Sequence, residues 1–186
     1  MRVILLAAGY GTRLGELTKD KPKPMIDVGG KPVIEHILTR LADHGIRDVI
    51  VNLHYLPHIL TDYLGGRVLY YYEPRLLGHH KTIMALKNWL VQESSFMVIN
   101  GDTISDVDYT EMSMFHKPDT ITAYMDEWRC AGTWIYSSSY FVNQSLSVRP
   151  YRQDKSVWFD VGTVPRLEEA RRYFDEQKTT YNLSKV

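Results

Sequence analysis

The residues that first suggest chemistry stand directly behind an apolar run. Val3 to Ala7 is continuous and apolar, and Ala8-Gly9-Tyr10-Gly11-Thr12-Arg13-Leu14-Gly15 follows. Glycines let the backbone approach a phosphate closely, and successive N–H groups can cradle it. Thr12 adds a hydroxyl donor, and Arg13 can fork onto phosphate oxygens. Lys23, within Pro22-Lys23-Pro24-Met25, supplies a compact second charge. The segment from Leu6 to Lys23 therefore reads as a phosphate-binding loop suited to a polyphosphate. Two rival loops fail on their spacing. The dinucleotide fingerprint needs its third glycine where Leu14 stands, and a Walker A loop needs Ser or Thr after Gly-Lys, where Gly30-Lys31 is followed by Pro32. The plain structural alternative is a turn-rich connection with scattered lysines, but Thr12, Arg13 and the Pro-Lys-Pro-Met run together argue against it.

Two aspartates form the second group. Asp102 follows Asn100-Gly101 just past an apolar run, and Asp160 lies in Trp158-Phe159-Asp160-Val161-Gly162-Thr163. Taken singly, Asp102 also fits a turn, and Asp160 a turn or a helix cap. A carboxylate at a strand end beside a phosphate loop is a natural ligand for Mg²⁺, because hard oxygen donors suit a hard ion. Asp108 reads as the cap of a helix beginning near Tyr109. His54 and His58 stand four apart but have no third partner, so they read as structural. Tyr70-Tyr71-Tyr72 reads as sheet packing.

Several elements must position these groups. Buried strands are expected at Val3–Ala7, Asp48–Leu53, Val68–Tyr72 and Phe96–Ile99. Helices are expected at Pro32–His44, where Val33, Ile37, Leu38 and Leu41 recur at helical spacing, and at Pro57–Leu64 and Lys81–Val91. Strands alternating with helices mean crossover connections and a mainly parallel sheet. The fold class is α/β, a Rossmann-like three-layer fold with a mainly parallel, mixed central sheet. Such sheets bind ligands at the carboxyl ends of their strands, where strand order reverses. Both the phosphate loop and Asn100-Gly101-Asp102 fall at such ends. The last third is less regular. It is expected to hold a helix at Tyr109–His116, strands at Thr120–Tyr124, Thr133–Tyr136 and Val157–Val161, an amphipathic helix at Val164–Gln177, and a frayed polar tail.

The whole chain bounds the function. Its 186 residues suit one domain, 1–186. Lys plus Arg and Asp plus Glu are 22 each, so there is no broad basic field and nucleic acid is not an expected partner. The one cysteine, Cys130, forms no disulfide framework, which fits a reducing cytoplasm. No run reaches the ~18 apolar residues of a membrane span, so no membrane is expected. The opening Met1-Arg2-Val3-Ile4-Leu5-Leu6 reads as a first strand rather than a signal peptide.

Taken together, Leu6-Ala7-Ala8-Gly9-Tyr10-Gly11-Thr12-Arg13-Leu14, Pro22-Lys23-Pro24-Met25 and Gly30-Lys31-Pro32 resemble the signature of the sugar-1-phosphate nucleotidyltransferases. Val51-Asn52-Leu53-His54-Tyr55-Leu56, Asn100-Gly101-Asp102 and Phe159-Asp160-Val161-Gly162-Thr163-Val164-Pro165-Arg166-Leu167 match as well. The resemblance runs from residue 2 to about residue 172. It implies attack by a sugar-1-phosphate oxygen on the α-phosphorus of a nucleoside triphosphate, with release of pyrophosphate. It implies Arg13 on the β- and γ-phosphates, Lys23 at the α-phosphate, and Mg²⁺ on Asp102 and Asp160. It places Leu6, Ala7, Ala8, Gly9, Gly11 and Thr12 against the nucleotide, with Glu73 and Gly78 in the base-side and sugar-side loops. The branch resembled most is guanylyl transfer to a mannose- or heptose-type phosphate. Cytidylyl or uridylyl transfer to another phosphorylated acceptor, and a non-catalytic nucleotide-sugar-binding subunit, are the competing forms.

The chain departs from that pattern twice. After Leu77-Gly78 the family carries small residues, whereas His79-His80-Lys81-Thr82 stands here. These histidines either contact phosphate or sugar or cap the following helix. The family's Glu-Lys-Pro hairpin, whose lysine binds the sugar phosphate, is absent. Arg129, Lys155, Arg149 and Arg152 are the available substitutes. The acceptor region around 120–157 is thus smaller, differently built, or completed by another subunit, which makes a homodimer one expected form.

Overall fold

The computed structural model describes residues 1–127 and 129–183. In chain order the elements are β1 (Val3–Leu6), β2 (Asp27–Val28), β3 (Lys31–Pro32), α1 (Val33–Asp43), β4 (Val49–Leu53) and α2 (Pro57–Leu64). There follow β5 (Leu69–Tyr72), α3 (His79–Ala85), α4 (Lys87–Leu90), β6 (Ser95–Asn100), β7 (Thr103–Ser105) and α5 (Tyr109–Phe115). The last are β8 (Thr120–Asp126), β9 (Arg129–Ser137), β10 (Ser147–Tyr151), β11 (Trp158–Asp160) and α6 (Val164–Leu183).

The main sheet has the order β10-β8-β9-β6-β1-β4-β5. β1 pairs in parallel with β4 on one side and β6 on the other. β9 is antiparallel to both β6 and β8, so the sheet is mixed. Alternation along the strands explains the three layers. Val3 and Leu5 face a core that includes Val33, Ile37 and Leu41 of α1 and Leu60 and Leu64 of α2. Ile4 faces the opposite core with Ile83, Leu86 and Leu90. In β6 Met97 and Ile99 take the first side, and Phe96 and Val98 the second. Both faces are covered, which is why these strands read as continuous apolar runs.

Several elements differ from the sequence expectation, among them the short strands β2, β3 and β7, which no apolar pattern marks. The helix expected at Lys81–Val91 is two short helices meeting at Leu86, whose φ is −91° and ψ 8°. Ile83, Leu86 and Leu90 keep one apolar stripe across that break, so the pattern alone reads as one helix. β10, which the apolar pattern does not mark, lies in parallel with β8 at the end of the sheet. Its Pro150 lacks a donor, and an edge position tolerates that. α6 also runs past Gln177 to Leu183, while the last three residues of the expected tail lie outside the described residues. Asp108 caps α5 as expected, accepting from the Glu111 amide at 2.8 Å. No helix among the described residues is long and apolar enough to cross a membrane.

Candidate functional site

The glycine-rich loop leaves β1 at the point where strand order reverses between β4 and β6, and a cleft of about 340 Å³ opens there. Leu6, Ala7, Ala8, Gly9, Gly11, Thr12, Arg13 and Lys23 of the loop line it. Asn52, Leu76, Gly78, His79, Asn100, Gly101, Asp102 and Gly162 line it as well.

Backbone register puts the charged groups together. β1 and β6 align Leu6 with Asn100, and the Gly101 amide donates to the Leu6 carbonyl at 2.8 Å. A methyl group on Gly101 would lie 2.7 Å from that carbonyl oxygen, so only glycine lets the two strand ends close this tightly. Asp102 follows at once. β7 pairs antiparallel with β11 in a register that sets Asp160 opposite Thr103, and the Val161 amide donates to the Asp102 carbonyl at 3.0 Å. α1 anchors the far end of β7, where the Arg40 guanidinium donates to the Val107 carbonyl at 3.1 Å. Asp106 accepts from the Val157 amide at 2.8 Å and so ties β7 to the start of β11.

The side chains meet at Gly162. A methyl group there would stand 2.5 Å from Asp160 Oδ1, 2.9 Å from Arg13 Nη2 and 3.1 Å from Lys23 Nζ. Asp160 Oδ1 accepts from the Gly162 amide at 2.8 Å, and its Oδ2 pairs with Arg166. Asp102 Oδ2 pairs with Lys23, and its Oδ1 accepts from the Thr103 hydroxyl at 3.3 Å. Three cations and two carboxylates thus crowd one spot, with one positive charge in excess.

The donor chemistry fits a hard divalent cation. Two carboxylates on neighbouring strand ends supply oxygen ligands, and a small ion of that class keeps waters and takes phosphate oxygens for the rest. Among the described residues no group of three or more His, Cys, Asp and Glu side chains could form a complete all-protein cage.

Glu73 lies behind the cleft wall rather than in it. It is 3% exposed. It accepts from Asn52 Nδ2 at 2.8 Å, from the Leu77 amide at 2.9 Å and from the Thr82 hydroxyl. Asn52 in turn accepts from the Ala7 amide at 2.6 Å. One buried carboxylate therefore ties the start of the glycine-rich loop to the loop that carries Gly78. Asn52 and Arg166 lie within the segments that resemble the family, but no local pattern assigns either a functional role. A buried Asn in an otherwise apolar strand was the available signal for the first.

The histidines of the divergent segment open α3. His79 lines the cleft, its Nε2 lies 3.0 Å from the Tyr136 hydroxyl, and its ring meets Trp134 edge-on at 4.6 Å. Burial, and secondarily the neighbouring His80, pushes its pKa down to about 4, so it is neutral near pH 7. His80 Nδ1 lies 2.8 Å from the Tyr140 hydroxyl. His54 bridges the Tyr10 hydroxyl and the Glu73 carbonyl, each at 2.8 Å.

The four candidate substitutes for the missing lysine are dispersed. Arg149 donates to the Phe115 carbonyl at 2.8 Å and stacks on that ring. Arg152 reaches the Glu127 carbonyl at 3.4 Å. Lys155 is exposed on a turn with φ of 56°. Arg129 lies over the Trp158 ring at 5.1 Å and borders a cavity of about 160 Å³ that also touches Asp160 and Arg166. Of the four, it alone adjoins the wall that carries the aspartates.

Comparison with known proteins agrees with this geometry. A family model described as nucleotidyl transferase matches residues 2–125. The chain is 31% identical over 131 residues to a mannose-1-phosphate guanyltransferase of Yarrowia lipolytica, a match spanning 66% of this chain and 36% of the relative. It is 29% identical over 144 residues to a glucose-1-phosphate cytidylyltransferase of Salmonella typhimurium, spanning 63% of this chain and 56% of the relative. The chain thus spans between about a third and just over half of these relatives' lengths. The solved structure of HddC from Yersinia pseudotuberculosis superposes with a TM-score of 0.79 at 22% identity, covering 93% of this chain and 99% of that one. The family match, the Rossmann-like fold and the convergence of Arg13, Lys23, Asp102 and Asp160 agree, and the chain belongs to the nucleotidyl transferase family, the family of the sugar-1-phosphate nucleotidyltransferases.

Proposed function

We propose that this chain transfers a nucleotidyl group from a nucleoside triphosphate to the phosphate of a sugar-1-phosphate, in an Mg²⁺-dependent reaction. A phosphate oxygen of the acceptor bonds to the α-phosphorus, the bond to the bridging oxygen breaks, and pyrophosphate leaves with the electron pair. The observation that carries this reading is the meeting of Arg13, Lys23 and Asp160 around Gly162, with Asp102 paired to the same Lys23.

The nucleophile is already an anion, so no strong general base is needed, and positioning with charge neutralisation supplies the catalysis. Arg13 holds the β- and γ-phosphates, and Lys23 neutralises charge at the α-phosphate. Asp102 and Asp160 would hold Mg²⁺, and the ion would supply charge stabilisation to the phosphate groups. The main chain from Leu6 to Gly11, with the Thr12 hydroxyl, receives the nucleotide. Gly78, which lines the same cleft, receives the rest of the ligand. Glu73 acts from behind as a positioning residue through Asn52 and Thr82.

Guanylyl transfer to a mannose- or heptose-type phosphate is the specific form proposed. The match to a mannose-1-phosphate guanyltransferase and the structural likeness to HddC, also solved in complex with GMP-PN, favour it. Cytidylyl transfer is the second reading, favoured by the larger share of the relative that the match to the cytidylyltransferase spans, 56% against 36%. The test incubates the protein and Mg²⁺ with each nucleoside triphosphate and a panel of sugar-1-phosphates, and measures pyrophosphate release. Release with one pair identifies the substrates. Tight nucleotide binding with no release from any pair would overturn the transferase reading in favour of a non-catalytic subunit.

A further inference from the structure

We propose that Lys23 and Arg166 are exchangeable counter-cations, each holding one carboxylate of the Asp102–Asp160 pair until a divalent cation takes its place. Each is then freed toward phosphate. The inference rests on the reading of these aspartates as metal ligands.

Each carboxylate has one fixed and one movable partner. The fixed partners are neutral and anchored: the Gly162 amide on Asp160 Oδ1, and the Thr103 hydroxyl on Asp102 Oδ1. Thr103 is only 4% exposed. The movable partners are charged groups on long flexible stems, Arg166 on Asp160 Oδ2 and Lys23 on Asp102 Oδ2. When the cation leaves, the neutral donor still holds the carboxylate in position. Arg166 stands in the first turn of α6 and its side chain is 34% exposed, so it has room to swing outward.

Electrostatics favours exchange over coexistence. Arg13 and Lys23 already lie within contact distance of the same point as Asp160. A doubly charged ion inserted among them meets strong like-charge repulsion unless Lys23 and Arg166 withdraw. A polyphosphate supplies the negative charge onto which they can withdraw. Metal and polyphosphate therefore strengthen each other's binding, and by linkage the coupling is reciprocal. The two pairings thus hold Lys23 and Arg166 next to the phosphate toward which they are released.

The sign of one measurement separates this role from a structural one. Mn²⁺ is titrated calorimetrically into the protein, alone and with tripolyphosphate present. Arg166→Met and Lys23→Met are each expected to bind Mn²⁺ alone about tenfold more tightly than the wild type, a coupling of usual size. Tripolyphosphate should tighten Mn²⁺ less in these variants than in the wild type. Arg166→Lys keeps a cation and should restore the weaker wild-type binding, and thermal melting monitors folding throughout. If Arg166→Met and Lys23→Met bind Mn²⁺ no more tightly than the wild type, while Asp102→Asn and Asp160→Asn lose it, the two cations merely brace the carboxylates. The exchange is then overturned and the metal site stands. If Asp102→Asn and Asp160→Asn bind Mn²⁺ as the wild type does, the metal assignment falls and the exchange falls with it.

Discussion

The Val161 amide donates to the main-chain carbonyl of Asp102 at 3.0 Å, and this one bond sets two distant aspartates side by side. Asp160 precedes that amide directly, and the β7–β11 register aligns it with the neighbour of Asp102. Asp102→Asn and Asp160→Asn each keep size and shape while removing a charge. Each is expected to lower kcat by about 10²–10³-fold, the usual cost of deleting one preorganised electrostatic group. Pyrophosphate release at saturating substrates checks this. Activity within threefold of wild type in both variants would remove them from the site.

Gly162 and Gly101 should fail in different ways. A methyl group on Gly162 meets the Asp160 carboxylate, Arg13 and Lys23, all side-chain ends that can shift. Gly162→Ala should therefore melt near the wild-type temperature yet lose about 10²-fold in kcat/KM, because small misplacement of reacting groups is costly. A methyl group on Gly101 meets the Leu6 carbonyl, which is backbone. Gly101→Ala should lose about 1–3 kcal/mol of stability as an overpacked site, read by urea denaturation.

Arg13→Lys keeps a charge but loses the fork that grips two phosphate oxygens. The expected result is a raised KM for the nucleoside triphosphate and a lowered kcat. Steady-state kinetics with varied triphosphate would contradict the assignment if both constants stayed unchanged.

His79 makes stability depend on pH. Burial depresses its folded-state pKa to about 4, below the unfolded value near 6.5. As pH falls from about 6.5 to about 4 the unfolded chain takes up a proton that the folded chain refuses, so stability falls. His36 and His116 are also depressed, chiefly by burial, and act in the same direction. His79→Gln should remove part of that fall and leave the rest. Melting temperatures between pH 4 and pH 8 test it, and an unchanged slope in the variant would contradict the buried neutral imidazole.

Core and surface positions should separate cleanly. Leu5 has no exposure, and Leu5→Ala is expected to cost about 2–5 kcal/mol. Tyr72 at the sheet edge is 58% exposed, and Tyr72→Ala should stay within about 0.5 kcal/mol. Chemical denaturation of both variants provides the comparison.

By itself the sequence determined what rests on neighbours along the chain, though not the break at Leu86, across which the apolar stripe continues. The glycine-rich loop, β1, β4, β6 and α1 were legible because glycine spacing, charge and apolar periodicity are properties of neighbours along the chain. Arg13, Lys23, Asp102 and Asp160 were nameable for the same reason, each lying in a short segment of distinctive type. Glu73 was nameable too, but its place behind the wall was not, since Asn52, Leu77 and Thr82 come to it from three separate segments. The tertiary structure alone decided the pairings of Lys23 with Asp102 and of Arg166 with Asp160, the strand at Ser147–Tyr151, and the seat of His79 against Trp134. Each depends on strand order and register, which arise from packing between elements far apart in the chain. A one-residue slip between β7 and β11 would turn Asp160 to the other face, and no local pattern in either strand records which register is taken.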